Sequence, residues 1–249
     1  LVAAITPAKR AVGRPELPLL DRYDFGPVVD GADLPQQPCD PAPAAISDAI
    51  PLLIGDMKDE ATRFLADDDA VWNRTLTEAE LRTRLSAIAG GDADRVLDLY
   101  RTRDPRANPA ELLIAALTGA QFWIRSALFA ERKAAQPAPV YMYSLAWETP
   151  ACDGRLKAPH ALDLPFVFDN TEIAGATART NGAGELAAVM SASWAAFARN
   201  GSPTIPALPD WPGYRPDERA VMVFDRECRV VTDPDRDARL LWSRIATGS

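Results

Sequence analysis

The chain has 249 residues, 47% of them hydrophobic and 25% charged, with a formal net charge of −8. That length and apolar content suit one large globular domain with a substantial core. The acidic balance argues against nucleic acid or an anionic membrane as partner, since both call for basic patches, and no uninterrupted apolar run nears the roughly 18 residues of a membrane span.

Residues 1–20 contain Pro7, Pro15 and Pro18 among Lys9, Arg10 and Arg14, and read as a frayed helix end followed by a loop. Phe25 to Val29 reads as a short extended segment turned by Asp30-Gly31. Pro35, Pro38, Pro41 and Pro43 then mark a surface connection. Ile50-Pro-Leu-Leu-Ile54 is a short apolar run ended by Gly55, the pattern of a fully buried strand. Asp56, Asp59 and Glu60 follow its C-terminal end, the place where active sites gather in open α/β sheets. A helix is expected from about Lys58 to the run Asp67-Asp68-Asp69. That run reads as a solvated loop, with a surface cation site as the weaker alternative.

Thr77-Glu-Ala-Glu80 has the form of a capping box. Leu81, Leu85 and Ile88 then share one apolar face, closed by Gly90-Gly91. Arg95 to Arg101 reads as another short helix. Asn108-Pro109 opens the longest one, with an N-cap and a first-turn proline. Leu113, Leu117, Ala120, Ile124 and Leu128 recur at helical spacing, so that face is buried. Phe122 and Trp123 flank the stripe and read as core. Val140 to Trp147 is a buried, aromatic-rich strand. It delivers a loop holding Thr149, Pro150, Cys152 and Gly154, and then His160, the one histidine of the chain. Gly184 to Asn200 is a helix ended by Gly201. Pro203 to Pro216 is a loop around Trp211 and Tyr214. Ala220–Phe224 and Cys228–Thr232 read as a hairpin or an adjacent strand pair, and a last helix runs through Trp242. The three cysteines, Cys39, Cys152 and Cys228, leave at least one unpaired. Their spacing fits no zinc site. Free thiols are expected, with one disulfide as the alternative.

A lone histidine has an ordinary reading as a surface or capping residue. An acid after one strand and a histidine after a later one instead match the nucleophile–acid–base order of α/β-hydrolases. Four stretches carry a closer resemblance: Phe25-Gly-Pro-Val-Val-Asp30-Gly31 with Leu34-Pro35; Pro51-Leu-Leu-Ile-Gly55 with Lys58-Asp59-Glu60; His160 with Leu164-Pro-Phe-Val-Phe168; and Trp194, Phe197 and Asn200-Gly-Ser-Pro203. From about Leu17 to about Trp242 the chain resembles the C-terminal half of type-B carboxylesterases, which include the cholinesterases. The resemblance implies an α/β fold, a mostly parallel sheet flanked by helices, with residues 1–249 as the C-terminal portion of one such domain. It implies Glu60 as triad acid and His160 as base, helices that wall the substrate gorge, and a small carboxylic ester as substrate. The family often has Gly where Ala61 stands and Glu where Asp163 stands. Asp59 and Asp163 are rival orienters of the imidazole, and Asp59 has an alternative task in fixing the loop.

The triad also needs a serine on a G-x-S-x-G turn. None of the nine serines, Ser47, Ser86, Ser126, Ser144, Ser191, Ser193, Ser202, Ser243 and Ser249, has glycine two before and two after. In the family's order, the serine and the Gly-rich oxyanion segment precede Leu1, and an opening on Leu-Val-Ala-Ala reads as a helix cut mid-protein. Three expectations follow: a piece of a longer enzyme, one chain of a cleaved enzyme, or a relic without catalysis. The first makes the N-terminal half of the same enzyme the expected partner, and without it the strand at Ile50 offers an open edge prone to self-association. No cofactor or metal is required, because covalent acyl transfer uses protein groups alone. Cys152 as nucleophile is a remote option. The competing class is a non-catalytic, cholinesterase-like binding module.

Overall fold

The computed structural model describes residues 28–39, 42–173, 175 and 182–247. The expected helix end and loop within residues 1–20, and Phe25, lie outside these. Asp30 makes the expected turn: its carboxylate accepts from the amides of Ala32 (2.9 Å) and Leu34 (3.0 Å).

The described sheet has four strands in the order β1 (Leu52–Met57), β2 (Val140–Leu145), β3 (Ala220–Phe224) and β4 (Arg229–Thr232). The first three are parallel, and β4 returns antiparallel from β3 as the expected hairpin. Alternation along β2 divides the core. Val140 and Met142 pack with Ala127, Ala130 and Val221 on one face. Tyr141, Tyr143 and Leu145 pack with Met190, Trp211 and Phe224 on the other. A pleated strand sends successive side chains to opposite faces, so one buried strand feeds two layers. Trp147, expected inside this strand, lies just past its end and packs edge-on against Phe166.

The expectation for β1 needs correction. It begins at Leu52, continues through Gly55 to Met57, and is only half-buried until Asp56. Ile50 lies outside it and is 60% exposed. The reason is position: β1 is the outermost strand among the described residues, so one flank has no strand neighbour. Gly55 is a packing requirement in this strand. A Cβ there would sit 2.4 Å from Cδ1 of Tyr143 on the neighbouring strand.

A helical layer covers the face of the sheet that carries Val140 and Met142. It consists of α1 (Glu78–Ala89), α2 (Ala93–Arg103), α3 (Pro109–Lys133) and α5 (Arg236–Thr247); α4 (Ala183–Asn200) lies on the opposite face. The expected capping box forms at the start of α1, and the expected N-cap at Asn108 proves to be a second one. Thr77 and Glu80 exchange hydrogen bonds at the start of α1, and Asn108 and Glu111 at the start of α3. Leu81, Leu85, Val96, Leu113 and Ile124 make the dry interior of this layer, each 2% exposed or less. The single helix expected after Lys58 is instead two short turns, Thr62–Leu65 and Asp69–Trp72. Asp68 causes the break. Its carboxylate caps the second turn and bonds Arg84, so the aspartate run starts a helix rather than ending one.

One 18-residue window of α3 reaches a mean hydropathy of 1.5, enough by length and composition to cross a membrane, although no unbroken apolar run does so. Half of that window is buried inside the protein, as in a core helix. At Gly119–Trp123 the helix widens into one π turn. Such a turn inserts a residue and re-aims the side chains beside it. Phe122, read from its spacing as core, is thereby placed at the ends of the strands.

Candidate active site

Glu60 lies on the turn after β1, and His160 on the loop after β2. They are a hundred residues apart in sequence, and the parallel pairing of β1 with β2 brings them to the same end of the sheet. His160 Nδ1 lies 2.6 Å from Glu60 Oε2. A carboxylate only accepts hydrogen bonds, so the neutral ring carries its proton on Nδ1 and leaves Nε2 free to accept one. The other oxygen, Glu60 Oε1, accepts from the amide of Met57 (2.9 Å), which fixes the plane of the carboxylate. The Glu60 side chain is 4% exposed and that of His160 is 46% exposed. A buried anion thus anchors a reachable imidazole.

The hydrogen bond that the ring donates to Glu60 holds the pKa of His160 above the ordinary histidine value; burial pulls against it, and the charge of Glu60 adds to it. Asp163 pushes in the same direction and Arg63 in the opposite one. Phe64 and Phe122 pack on the ring, with centroids at 5.0 and 5.5 Å, and stack on each other at 5.6 Å. They give the imidazole an apolar shelf.

The rival orienters have other partners. Asp59 fastens the loop two residues before the histidine: its amide donates to Ala158 O (2.9 Å), and its carboxylate accepts from the Ala158 amide (3.3 Å). The Thr62 hydroxyl donates to Leu156 O at 2.9 Å, and the amide of Ala61 donates to Thr118 on α3. Ala61, where glycine is common in the resembled family, is completely buried, so the methyl group fits. Asp163 accepts from the Tyr143 hydroxyl at 2.8 Å. The three cysteines are free thiols. Cys152 is exposed, on a loop where it and Asp153 both take positive φ.

A shallow depression is bounded by Asp56, Glu60, Phe122, Ser126, Tyr143, His160, Asp163 and Leu164, among other residues. Sequence reasoning assigned Glu60 and His160 to one site and placed Asp56 at the same strand end without giving it a role, but it read Phe122 and Tyr143 as core and passed over Phe64. Periodicity carries no signal for a helix that changes pitch, which is why Phe122 escaped. Asp56 is 3% exposed, and burial pushes its carboxyl well above the usual carboxylate range; the charge of Glu60 adds to this, and a hydrogen bond with Ser144 opposes it. Among the described residues no cluster of three histidine, cysteine or acidic side chains is arranged to hold a metal ion.

The model of the family described as "Carboxylesterase family" matches residues 11–240. The para-nitrobenzyl esterase of Bacillus subtilis is 32% identical over 86% of this chain and 42% of its own length. The phenmedipham hydrolase of Pseudarthrobacter oxydans is 28% identical over 82% of this chain and 41% of its own. The crystal structure of a Geobacillus stearothermophilus carboxylesterase superposes with a TM-score of 0.74 at 32% identity, covering 90% of this chain and 47% of that one. This chain therefore spans less than half the length of the relatives it matches.

Proposed function

The chain belongs to the carboxylesterase family, with the α/β-hydrolase fold of its structural neighbours, and on that premise we propose that it supplies the acid and the base of a serine carboxylester hydrolase. Residues 1–249 form the C-terminal portion of one catalytic domain. The serine and the oxyanion donors come from polypeptide that precedes them. Two facts support this division: the relatives are more than twice as long, and no serine here has the G-x-S-x-G surroundings.

In the proposed cycle, Nε2 of His160 takes the proton of the serine hydroxyl as its oxygen attacks the ester carbonyl. The C–O bond to the alcohol then breaks, and the imidazolium returns the proton to the leaving alkoxide. Water deprotonated by the same ring attacks the acyl-serine, the acyl C–O bond to the serine breaks, the imidazolium returns the proton to the serine oxygen, and the acid is released. Glu60 keeps the proton on Nδ1 and stabilises the imidazolium at both stages. The step needs no group beyond protein side chains and water. The shelf of Phe64 and Phe122 favours small esters with an apolar part over highly charged ones. The names of the relatives, a para-nitrobenzyl esterase and a phenmedipham hydrolase, fit such a class.

The observation that carries the proposal is the 2.6 Å bond between His160 Nδ1 and Glu60. A purely adhesive module has no use for it. The test is turnover of a short-chain chromogenic ester by the complete polypeptide. Near-normal turnover after either Glu60→Gln or His160→Ala would reject the assignment.

A further inference from the structure

We infer that a second cavity, between the sheet and the helical layer, is a binding site for a small primary amine with an apolar body, whose ammonium group pairs with Asp56. The inference goes beyond the proposed triad, and its test reads binding without turnover. The cavity holds about 430 Å³, within the range of about 300–1,000 Å³ usual for small-molecule sites. It shares only Asp56 and Met57 with the depression at His160. Its floor is the C-terminal end of the sheet, where Asp56, Ser144 and Val223 stand side by side on β1, β2 and β3.

Side chains two apart on a strand share a face. Ser144 therefore follows Val140 and Met142 towards the helical layer, and Val223 follows Val221. Asp56 accepts from the Ser144 hydroxyl, so its carboxyl points the same way, to the cavity side of the sheet. Tyr100 of α2 and Leu112, Ala115, Gly119 and Trp123 of α3 form the opposite wall. The Trp242 indole donates to Tyr100 Oη at 2.9 Å and holds that wall in place.

Asp56 is the unusual member. It is 3% exposed, and its Oδ2 has no hydrogen-bond partner among the described residues. Leaving such a group unmet costs folding free energy, and a ligand that brings a donor removes the deficit. The protein offers Asp56 no cation. The three bases on the cavity wall are already paired: Lys157 with Glu111 at 3.7 Å, Arg103 with Asp235 at 3.1 Å and Lys58 with Glu148 at 2.8 Å. Asp56 inside and Asp104 at the mouth have no ion pair among the described residues. The charges acting on Asp56 are those of Glu60 and Asp235, both negative, and with burial they keep its carboxyl protonated. Tyr100 and Tyr143 stay neutral, because burial raises the pKa of each. An ammonium group supplies the missing charge and N–H donors for Oδ2. Its hydrocarbon meets Leu112, Ala115 and Val223, and the ring of Trp123 favours a cation nearby. On binding, the Asp56 O–H bond breaks and its proton goes to solvent, since the amine arrives already protonated. A quaternary ammonium has the charge without the donor, and an alcohol has the donor without the charge.

The test titrates the complete polypeptide with benzylammonium, benzyltrimethylammonium and benzyl alcohol by isothermal calorimetry, at neutral pH, in two buffers of different ionisation enthalpy. Benzylammonium is expected to saturate one site with release of about one proton, and to bind more tightly as pH rises. The other two compounds should bind about tenfold more weakly or worse. Asp56→Asn keeps the size of the side chain and should weaken benzylammonium by about tenfold or more, with no proton released. Ala115→Phe fills the cavity, leaves the acid untouched and should abolish binding. It carries the decision together with the proton count if Asp56→Asn fails to fold. His160→Ala should bind as the unaltered protein does, which separates this cavity from the depression at the histidine. The inference is overturned by the absence of saturable binding, or by unchanged affinity in Asp56→Asn or Ala115→Phe. Binding without proton release, equal binding of the quaternary ion or the alcohol, or loss of binding in His160→Ala overturns it as well.

Discussion

In the helical layer, two helices are secured at their starts by residues three positions apart, Thr77 with Glu80 in α1 and Asn108 with Glu111 in α3. At the strand ends the partners are remote in sequence. Ala61 meets Thr118, Thr62 meets Leu156, Ala158 meets Asp59 and His160 meets Glu60, at separations of 57 to 100 residues. The helical layer rests on apolar burial, and each cap adds a small independent increment. The corner at the strand ends is polar and half-open, and its geometry exists only once β1 and β2 have paired in register. Stability resides mainly in the first region, while the proposed chemistry resides in the second.

Substitutions should separate the two. In the complete polypeptide, Glu60→Gln and His160→Ala should each cut ester turnover by about a thousandfold or more, with circular dichroism and thermal midpoint close to those of the unaltered protein. Leu113→Ala in the helical layer should do the reverse. Leu113 is 1% exposed, so its truncation should cost about 2–5 kcal/mol by denaturant titration, with kcat per folded molecule retained. Thr77→Ala removes one cap and should cost about 1 kcal/mol. Lys58→Ala breaks a bond to Glu148 in which both side chains are about half exposed. The expected change is below about 1 kcal/mol and should shrink further in high salt. A large loss of turnover from Leu113→Ala with stability intact would break the division.

The same contrast sets what the sequence reveals. Caps, helical stripes and the hairpin were legible because their determinants are local: Thr77 and Glu80 share a single turn, and Asp225-Arg-Glu227 separates two short apolar runs. Glu60 and His160 were legible through the order of motifs, since a strand-end acid and a strand-end histidine converge when their strands pair in parallel. The bounds of β1 were misread because Gly55 looks like a stop in sequence. In the folded protein it is the gap that admits the ring of Tyr143. The break after Leu65 was missed because the carboxylate of Asp68 turns inward as a cap. The π turn that carries Phe122 to the imidazole has no local signature. The partner of Asp163 lies twenty residues away on another element, beyond any periodicity.

The pH response of the corner follows from the raised pKa of His160. The Glu60–His160 pair contributes its full stability below the pKa of the unfolded ring, about 6.5, and loses it as pH rises through the higher folded value. In its proposed role as general base, the ring becomes competent over that same rise. Because the chain has one histidine, its Cε1 proton gives a single NMR resonance. Following that resonance against pH in the unaltered chain and in Glu60→Gln tests the central claim most directly. The account predicts a midpoint above that of an ordinary histidine, moved to lower pH by the glutamine. Equal midpoints in the two proteins would contradict it, because Glu60 would then not be the partner that governs the proton of His160.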